Sequence, residues 1–208
     1  MFFGLFGKGS NQNSELDKLS VLERGVKLKR EGRFNESIKC YTDYIKKNPY
    51  DNNLNEYLYS LAKVYFLNKN YIASMNTYCA CAFYLAYIKR PEMLKDLSNY
   101  LKYNDTSSPY FMWAVDFGRH IGYALIGSYL QTGEINLSDE DKNVFKTYCD
   151  SIAGKNVNAS CLLNSRLDAF ASQIGAQFIT ENIRDNINTR DHKDNISIII
   201  GLALDEKK

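Results

Sequence analysis

The sequence predicts an all-α protein, and three observations predict it. Only 3 of the 208 residues are proline; each interior proline costs a helix roughly 3 kcal/mol, so the chain is free to build long, uninterrupted helices. Apolar residues recur at helical spacing through most of its length. Short polar or glycine-bearing breaks at Gly32-Arg33-Phe34, Asn68-Lys69-Asn70 and Gly133 cut that pattern into helix-sized pieces.

Composition fits a folded chain, with 45% hydrophobic and 24% charged residues. Sixteen Tyr and 11 Phe against a single Trp suit stacked helices, whose large side chains fill the gaps between layers. The formal charge of +2 gives no global field for nucleic acid or a membrane surface. The first 50 residues hold ten Lys/Arg against six Asp/Glu, a mild bias read as a solvated helix face, so no nucleic-acid partner is expected.

Residues 1–14 are expected to be a flexible tail. Its apolar start, Met1–Phe6, lacks the basic leader, long apolar run and cleavage site of a secretory signal, and Phe2 excludes myristoylation. No apolar stretch reaches membrane-spanning length, so stable membrane insertion is not expected.

The elements follow in order. Ser14 with Asp17 is a candidate cap for a helix from Leu16 to Glu31, with Leu19, Leu22, Val26 and Leu28 on its apolar face. Asn35 is the expected cap of a second helix carrying Ile38, Tyr41, Tyr44 and Ile45 inward, closed by Asn48-Pro49. Leu54–Leu67 and Tyr71 to about Ile88 form a second antiparallel pair. Arg90-Pro91 ends this part. Glu92–Tyr103 reads as a short helix, 104–108 as a loop, and Ser108-Pro109 as the start of an apolar helix running to about Gln131. Ser138 with Asp141 caps the next, to about Ala153. Ser160–Ile187 reads as one long helix with Leu163, Leu167, Phe170, Ile174, Phe178 and Ile179 on its apolar face. In Asn195–Leu204 the β-branched run leaves strand and helix open, and the helical context favours a helix.

The two hairpins superpose. Gly25 aligns with Ala62, Leu28 with Tyr65, Phe34 with Tyr71, Ser37 with Ser74, Tyr41 with Tyr78 and Tyr44 with Cys81, each pair 37 positions apart. On these residues, with Gly32, Leu61 and the closing Pro49, the chain resembles the tetratricopeptide repeat family over about residues 18–88. The sequence departs from that family at Arg24, where it prefers an apolar residue, and at Tyr44, where it prefers Ala. The spacing exceeds the usual ~34 residues, and no proline closes the second hairpin. The resemblance implies antiparallel helical hairpins stacked in a right-handed array. Since about three repeats are needed for stability, residues 91–208 are expected to add degenerate hairpins and a C-terminal helical cap to the two hairpins of 15–90. Gly127 and Leu130 echo the first hairpin there, and the long helix from Ser160 is the candidate cap.

The resemblance also implies a function: a protein–protein interaction module, not an enzyme, that holds a partner peptide or helix in a concave groove lined by the first helix of each hairpin. Carried over, the partner-binding positions are Leu22, Val26, Lys29, Arg30, Tyr59, Lys63 and Phe66, flanked by Leu19, Glu56 and Leu67. Aromatic and arginine anchors there suit an amphipathic segment with some acidic character. The Lys/Asn carboxylate clamp of some family members is missing, because Leu22 and Val26 hold those places. The alternative is a dedicated inhibitor, immunity protein or secretion chaperone masking one toxin or effector. Self-association stays open, given the apolar ends Phe2–Phe6 and Ile196–Leu204.

Catalytic candidates are few. His120 lies in an apolar helix and reads as a packing residue; an enzymatic reading needs acids beside it in a pocket. His192 sits in the polar turn Arg190–Asp194, which lacks calcium-loop spacing. Asp194-Asn195 before Ile196–Ile200 resembles the last metal-bearing strand of metal-dependent Ser/Thr phosphatases, but the other acidic motifs are missing. The five cysteines (Cys40, Cys79, Cys81, Cys149, Cys161) have no metal-type spacing; Cys79 and Cys81 point about 200° apart on a helix. They read as reduced thiols of a cytoplasmic protein. No metal and no cofactor are expected.

Overall fold

The computed structural model describes residues 16, 19–85, 111–186 and 192–204. These form nine α-helices and no strand: α1 (Val21–Arg30), α2 (Phe34–Lys47), α3 (Leu54–Leu67), α4 (Tyr71–Tyr84), α5 (Phe111–Thr132), α6 (Asp139–Ile152), α7 (Ser160–Leu163), α8 (Arg166–Asn186) and α9 (His192–Leu204). The fold is all-α among the described residues. The expected helix Glu92–Tyr103, the loop 104–108, the boundary at residue 90, and Ser14 and Asp17 lie outside them.

Local chemistry sets the helix ends. A capping box starts α1: Ser20 Oγ accepts from Glu23 N at 3.3 Å, and Glu23 Oε2 accepts from Ser20 N at 3.0 Å. This corrects the expected run from Leu16, because Ser20 interrupts it, although Leu16 is buried. Gly32, with φ at +75°, ends α1 by letting Gly32 N and Arg33 N reach the carbonyls of Lys29 and Leu28. Asn35 is not the cap of α2. Arg33 holds that position with no side-chain cap, and its guanidinium instead grips Glu36 and Glu31 on either side of the turn. Asn70 caps α4 and Ser138 caps α6, each accepting from the amide three residues on.

In the first hairpin, Ser37 Oγ donates to the Gly25 carbonyl at 2.8 Å; in the second, Ser74 Oγ donates to the Ala62 carbonyl at 2.9 Å. Gly25 lies under the Tyr41 ring so closely that a Cβ there would fall 2.2 Å from the ring. Helix α4 is central among the described helices. Ala73–Tyr84 is buried except for half-buried Asn76, because α3, α5 and α9 all pack on it.

Two expectations for the C-terminal part are corrected. The helix expected over Ser160–Ile187 is broken at Asn164-Ser165, where Ser165 Oγ donates to the Leu162 carbonyl and accepts from Asp168 N, ending α7 and capping α8. Leu163 and Phe170, expected on its apolar face, are instead 62% and 52% exposed. His192 begins α9 and does not sit in a turn; the segment after it is helical.

The middle of the buried side of α8 is made of small residues, Ala171, Ser172, Gly175 and Ala176, between Leu167 and Ile179. A Cβ at Gly122 would lie 1.8 Å from the Ala171 carbonyl oxygen, and one at Gly175 1.9 Å from that of Gly118. Helices α5 and α8 therefore touch backbone to backbone. Helix α9 lies along α4, with Thr77 Oγ1 donating to the Ala203 carbonyl at 3.1 Å.

Candidate functional site: the inner face of the first two hairpins

Helix α1 presents Leu22, Val26, Lys29 and Arg30, and α3 presents Tyr59, Lys63 and Phe66. The structure brings Lys29, Arg30, Lys63 and Tyr59 together, leaves Leu22 and Val26 half-buried, and takes Phe66 away. Phe66 is 1% exposed and packs against the rings of Tyr71, Phe145 and Tyr148 at 5.1–5.9 Å. The cause is α6. Its apolar residues Val144, Tyr148 and Ile152, spaced four apart, point into the core and cover this part of α3. Phe66 is thus closed to a partner while α6 is in place. Leu19 and Leu67 are half-buried and Glu56 is exposed.

At the rim, Lys29 Nζ donates to the Ile152 carbonyl at 2.8 Å, a cation at the C-terminal end of α6. Burial pushes the Lys29 amine down to about 8, and the charges of Lys63 and Arg30 add to that. Lys63 Nζ sits 4.1 Å from the Tyr59 ring centroid. Burial also lowers the Lys63 amine, with Asp116 opposing. Among the described residues no carboxylate lies within salt-bridge distance of Lys29, Arg30 or Lys63.

Beneath the rim lies His120. Its ring stacks on Tyr78 with centroids 4.8 Å apart and planes 3° from parallel. Both ring nitrogens are engaged: Nε2 with Tyr59 Oη and Nδ1 with Tyr148 Oη, each at 2.7 Å. Tyr59 also donates to Asp116 Oδ2 at 3.3 Å. With its one proton directed to that carboxylate, Tyr59 accepts from Nε2–H, and Tyr148 donates to Nδ1. Burial pushes the imidazole pKa down to about 4, so it is neutral at pH 7. The acid that an enzymatic reading needs is present, with Asp116 Oδ2 3.6 Å from Nε2. The imidazole, however, is 6% exposed and has no nitrogen free for a substrate.

Asp116 continues the charge array. Arg119 reaches it at 3.6 Å and pairs at 3.0 Å with Asp168, a carboxylate 3% exposed, which ties α5 to α8. The sequence offered no signal for this pair, because its partners lie 49 residues apart. A second surface was also missed. Leu125 and Tyr129 on α5 and Phe170, Ile174 and Phe178 on α8 line an open groove of about 370 Å³. No group of three or more His, Cys, Asp and Glu among the described residues could hold a metal ion, and no described helix is long and apolar enough to cross a membrane.

The chain matches no family model, no curated protein and no solved structure.

Proposed function

We propose that this chain is a cytoplasmic, non-catalytic protein-binding module. Its first two hairpins are of tetratricopeptide type, at the start of a right-handed array that α8 and α9 cap. The partner segment lies along Leu22, Val26, Lys29, Arg30, Tyr59 and Lys63, with α6 filling the deeper part of the groove. One observation carries this reading: half-buried Lys29 and Lys63 stand beside exposed Arg30 and the Tyr59 ring without a carboxylate of their own. Cations withheld from both water and counter-charge are costly unless something else supplies the charge. An amphipathic partner helix with acidic residues supplies it, and the Tyr59 edge and the apolar flanks of Leu22 and Val26 give it area.

The placement of α6 favours a second reading within the same class. With Phe66 covered, the open surface is shallow, and it suits a folded partner, such as a toxin or effector masked by a dedicated inhibitor or chaperone, better than an extended peptide. Affinity capture from the native cell with wild type and with Arg30→Glu/Lys63→Glu tests both. A stoichiometric partner lost with the double variant supports the rim, and the size of its folded contact separates the two readings. Equal capture by both proteins would remove the rim from the account.

A further inference from the structure

Three cations converge at the rim from two helices. Lys29 and Arg30 are in the last turn of α1, and Lys63 is in the third turn of α3. Helix C-termini account for part of this charge, since Lys29 sits at the ends of both α1 and α6, each equivalent to roughly half a negative charge. They do not account for Lys63, which stands mid-helix over an aromatic ring, nor for the fork of Arg30. The nearest acid acting on Lys63 is Asp116, and that carboxylate is already engaged by Tyr59 and Arg119. The acid nearest the C-terminal end of α6 is also taken, since Asp150 holds Lys146 and Lys155.

The donors left over define a shape. Lys29 uses one N–H on the Ile152 carbonyl and keeps two, Lys63 keeps three, and the Arg30 guanidinium presents a planar pair. Lys29 and Lys63 are half-buried while Arg30 is exposed, so the opening lies on the Arg30 side. The floor is closed, because Tyr59, Tyr148 and Phe66 are packed against one another's neighbours beneath it. What remains is a cationic rim above packed aromatic rings, exposed on the Arg30 side.

We propose that Lys29, Arg30 and Lys63 form a binding site for a small phosphate-class oxyanion. A dianion matches the excess charge where a single carboxylate leaves repulsion behind, and tetrahedral oxygens can accept from three donors arriving from different helices. The proposal deepens the functional reading above and rests on it for the openness of the rim. An oxyanion held there is a point at which a partner's docking is set, since anion and acidic partner compete for the same three cations.

The test uses the purified full chain and inorganic phosphate, titrated at constant ionic strength balanced with sodium chloride. The melting temperature and the side-chain NMR signal of Lys29 are followed. The expected result is a saturable rise in melting temperature, a matching shift of the Lys29 signal, and affinity weakened roughly tenfold in Arg30→Gln or Lys63→Gln, the loss of one charge-assisted contact. Arg30 is exposed, so its replacement reads binding without disturbing the fold. Lys47→Gln, at the exposed end of α2, is expected to respond as wild type. Sodium acetate at equal ionic strength is expected to give no saturation. A phosphate response no larger than that of chloride, unchanged affinity in Arg30→Gln, or acetate binding as tight as phosphate each overturns the proposal. No partner is present in this titration, so its failure leaves the partner reading to be decided by the capture experiment.

Discussion

Ser74 Oγ donates to the Ala62 carbonyl across the turn of the second hairpin, and Ser37 does the same to Gly25 one hairpin earlier. Both serines are fully buried. Each hydroxyl satisfies a carbonyl in a helix whose neighbour has come too close for water to help. Ser74→Ala or Ser37→Ala leaves the Oγ partner unmade and is expected to cost about 1–2 kcal/mol. Urea unfolding with an unchanged m-value checks this. A cost near zero in both would mean that the copied bond is incidental to the hairpin.

The close approaches of the glycines differ in what lies opposite. At Gly25 the obstacle is a ring, and Tyr41 also donates to the Leu22 carbonyl at 3.3 Å. At Gly122 and Gly175 it is backbone of the facing helix. Gly25→Ala is expected to cost about 1–3 kcal/mol, and Gly122→Ala the upper end of that range or more, since two helices must separate.

Gly201 provides the opposite sign. It lies within α9 with nothing within 4 Å of an added Cβ. Gly201→Ala is therefore expected to stabilise the protein by up to about 1 kcal/mol through helix propensity. Thermal melts of Gly25→Ala, Gly122→Ala and Gly201→Ala side by side give the order directly.

Acid stability turns on His120. Its folded pKa is depressed to about 4 from an ordinary 6.5, so the unfolded chain takes up the proton first as pH falls. The stabilisation is complete above pH 6.5 and is lost on the way down to pH 4, amounting to about 3 kcal/mol. Protonation also demands two acceptors where Tyr148 now donates to Nδ1. The lowered carboxylates Glu23, Glu36, Asp43 and Asp150 act in the same direction, so the comparison must be with His120→Gln. That variant is expected to show a flatter profile between pH 4 and 6.5. Parallel profiles would show that His120 is not the group titrating.

Much of the fold was legible in the sequence because it is local. Gly32, Asn70, Gly133 and Ser138 each act within a few residues, and their turns and caps fall where the residue types place them. The 37-residue register between the hairpins was legible for the same reason, since Ser37 and Ser74 repeat one local contact. What failed was either a choice between equal local signals or a long-range contact. The apolar run from Leu16 hid the start of α1, which Ser20 and the Glu three residues on set by closing a capping box. The break at Ser165 is a single side chain overriding an otherwise helical run. Phe66 reads as groove-lining on α3 alone, and nothing near it announces that Phe145 and Tyr148 will cover it. Gly118, Gly122 and Gly175 look like helix weaknesses until the α5–α8 contact gives them a reason.

The rim amines carry the last prediction. An ordinary lysine near 10.5 is almost wholly charged at pH 8, whereas Lys29, held down to about 8 by burial and by Lys63 and Arg30, is about half neutral there. Neutral amine is the reactive form. Trace acetic anhydride at pH 8 is therefore expected to label Lys29 ahead of the exposed Lys47 despite the half-burial of Lys29. Peptide mapping by mass spectrometry reads the two sites in one sample. Removing the Lys63 charge with Lys63→Gln raises the Lys29 pKa and narrows the difference, and so does phosphate, which favours the charged amine. Equal labelling of Lys29 and Lys47 in wild type would mean that the rim cations already have a counter-charge that keeps them protonated, and the case for an oxyanion there would go with it.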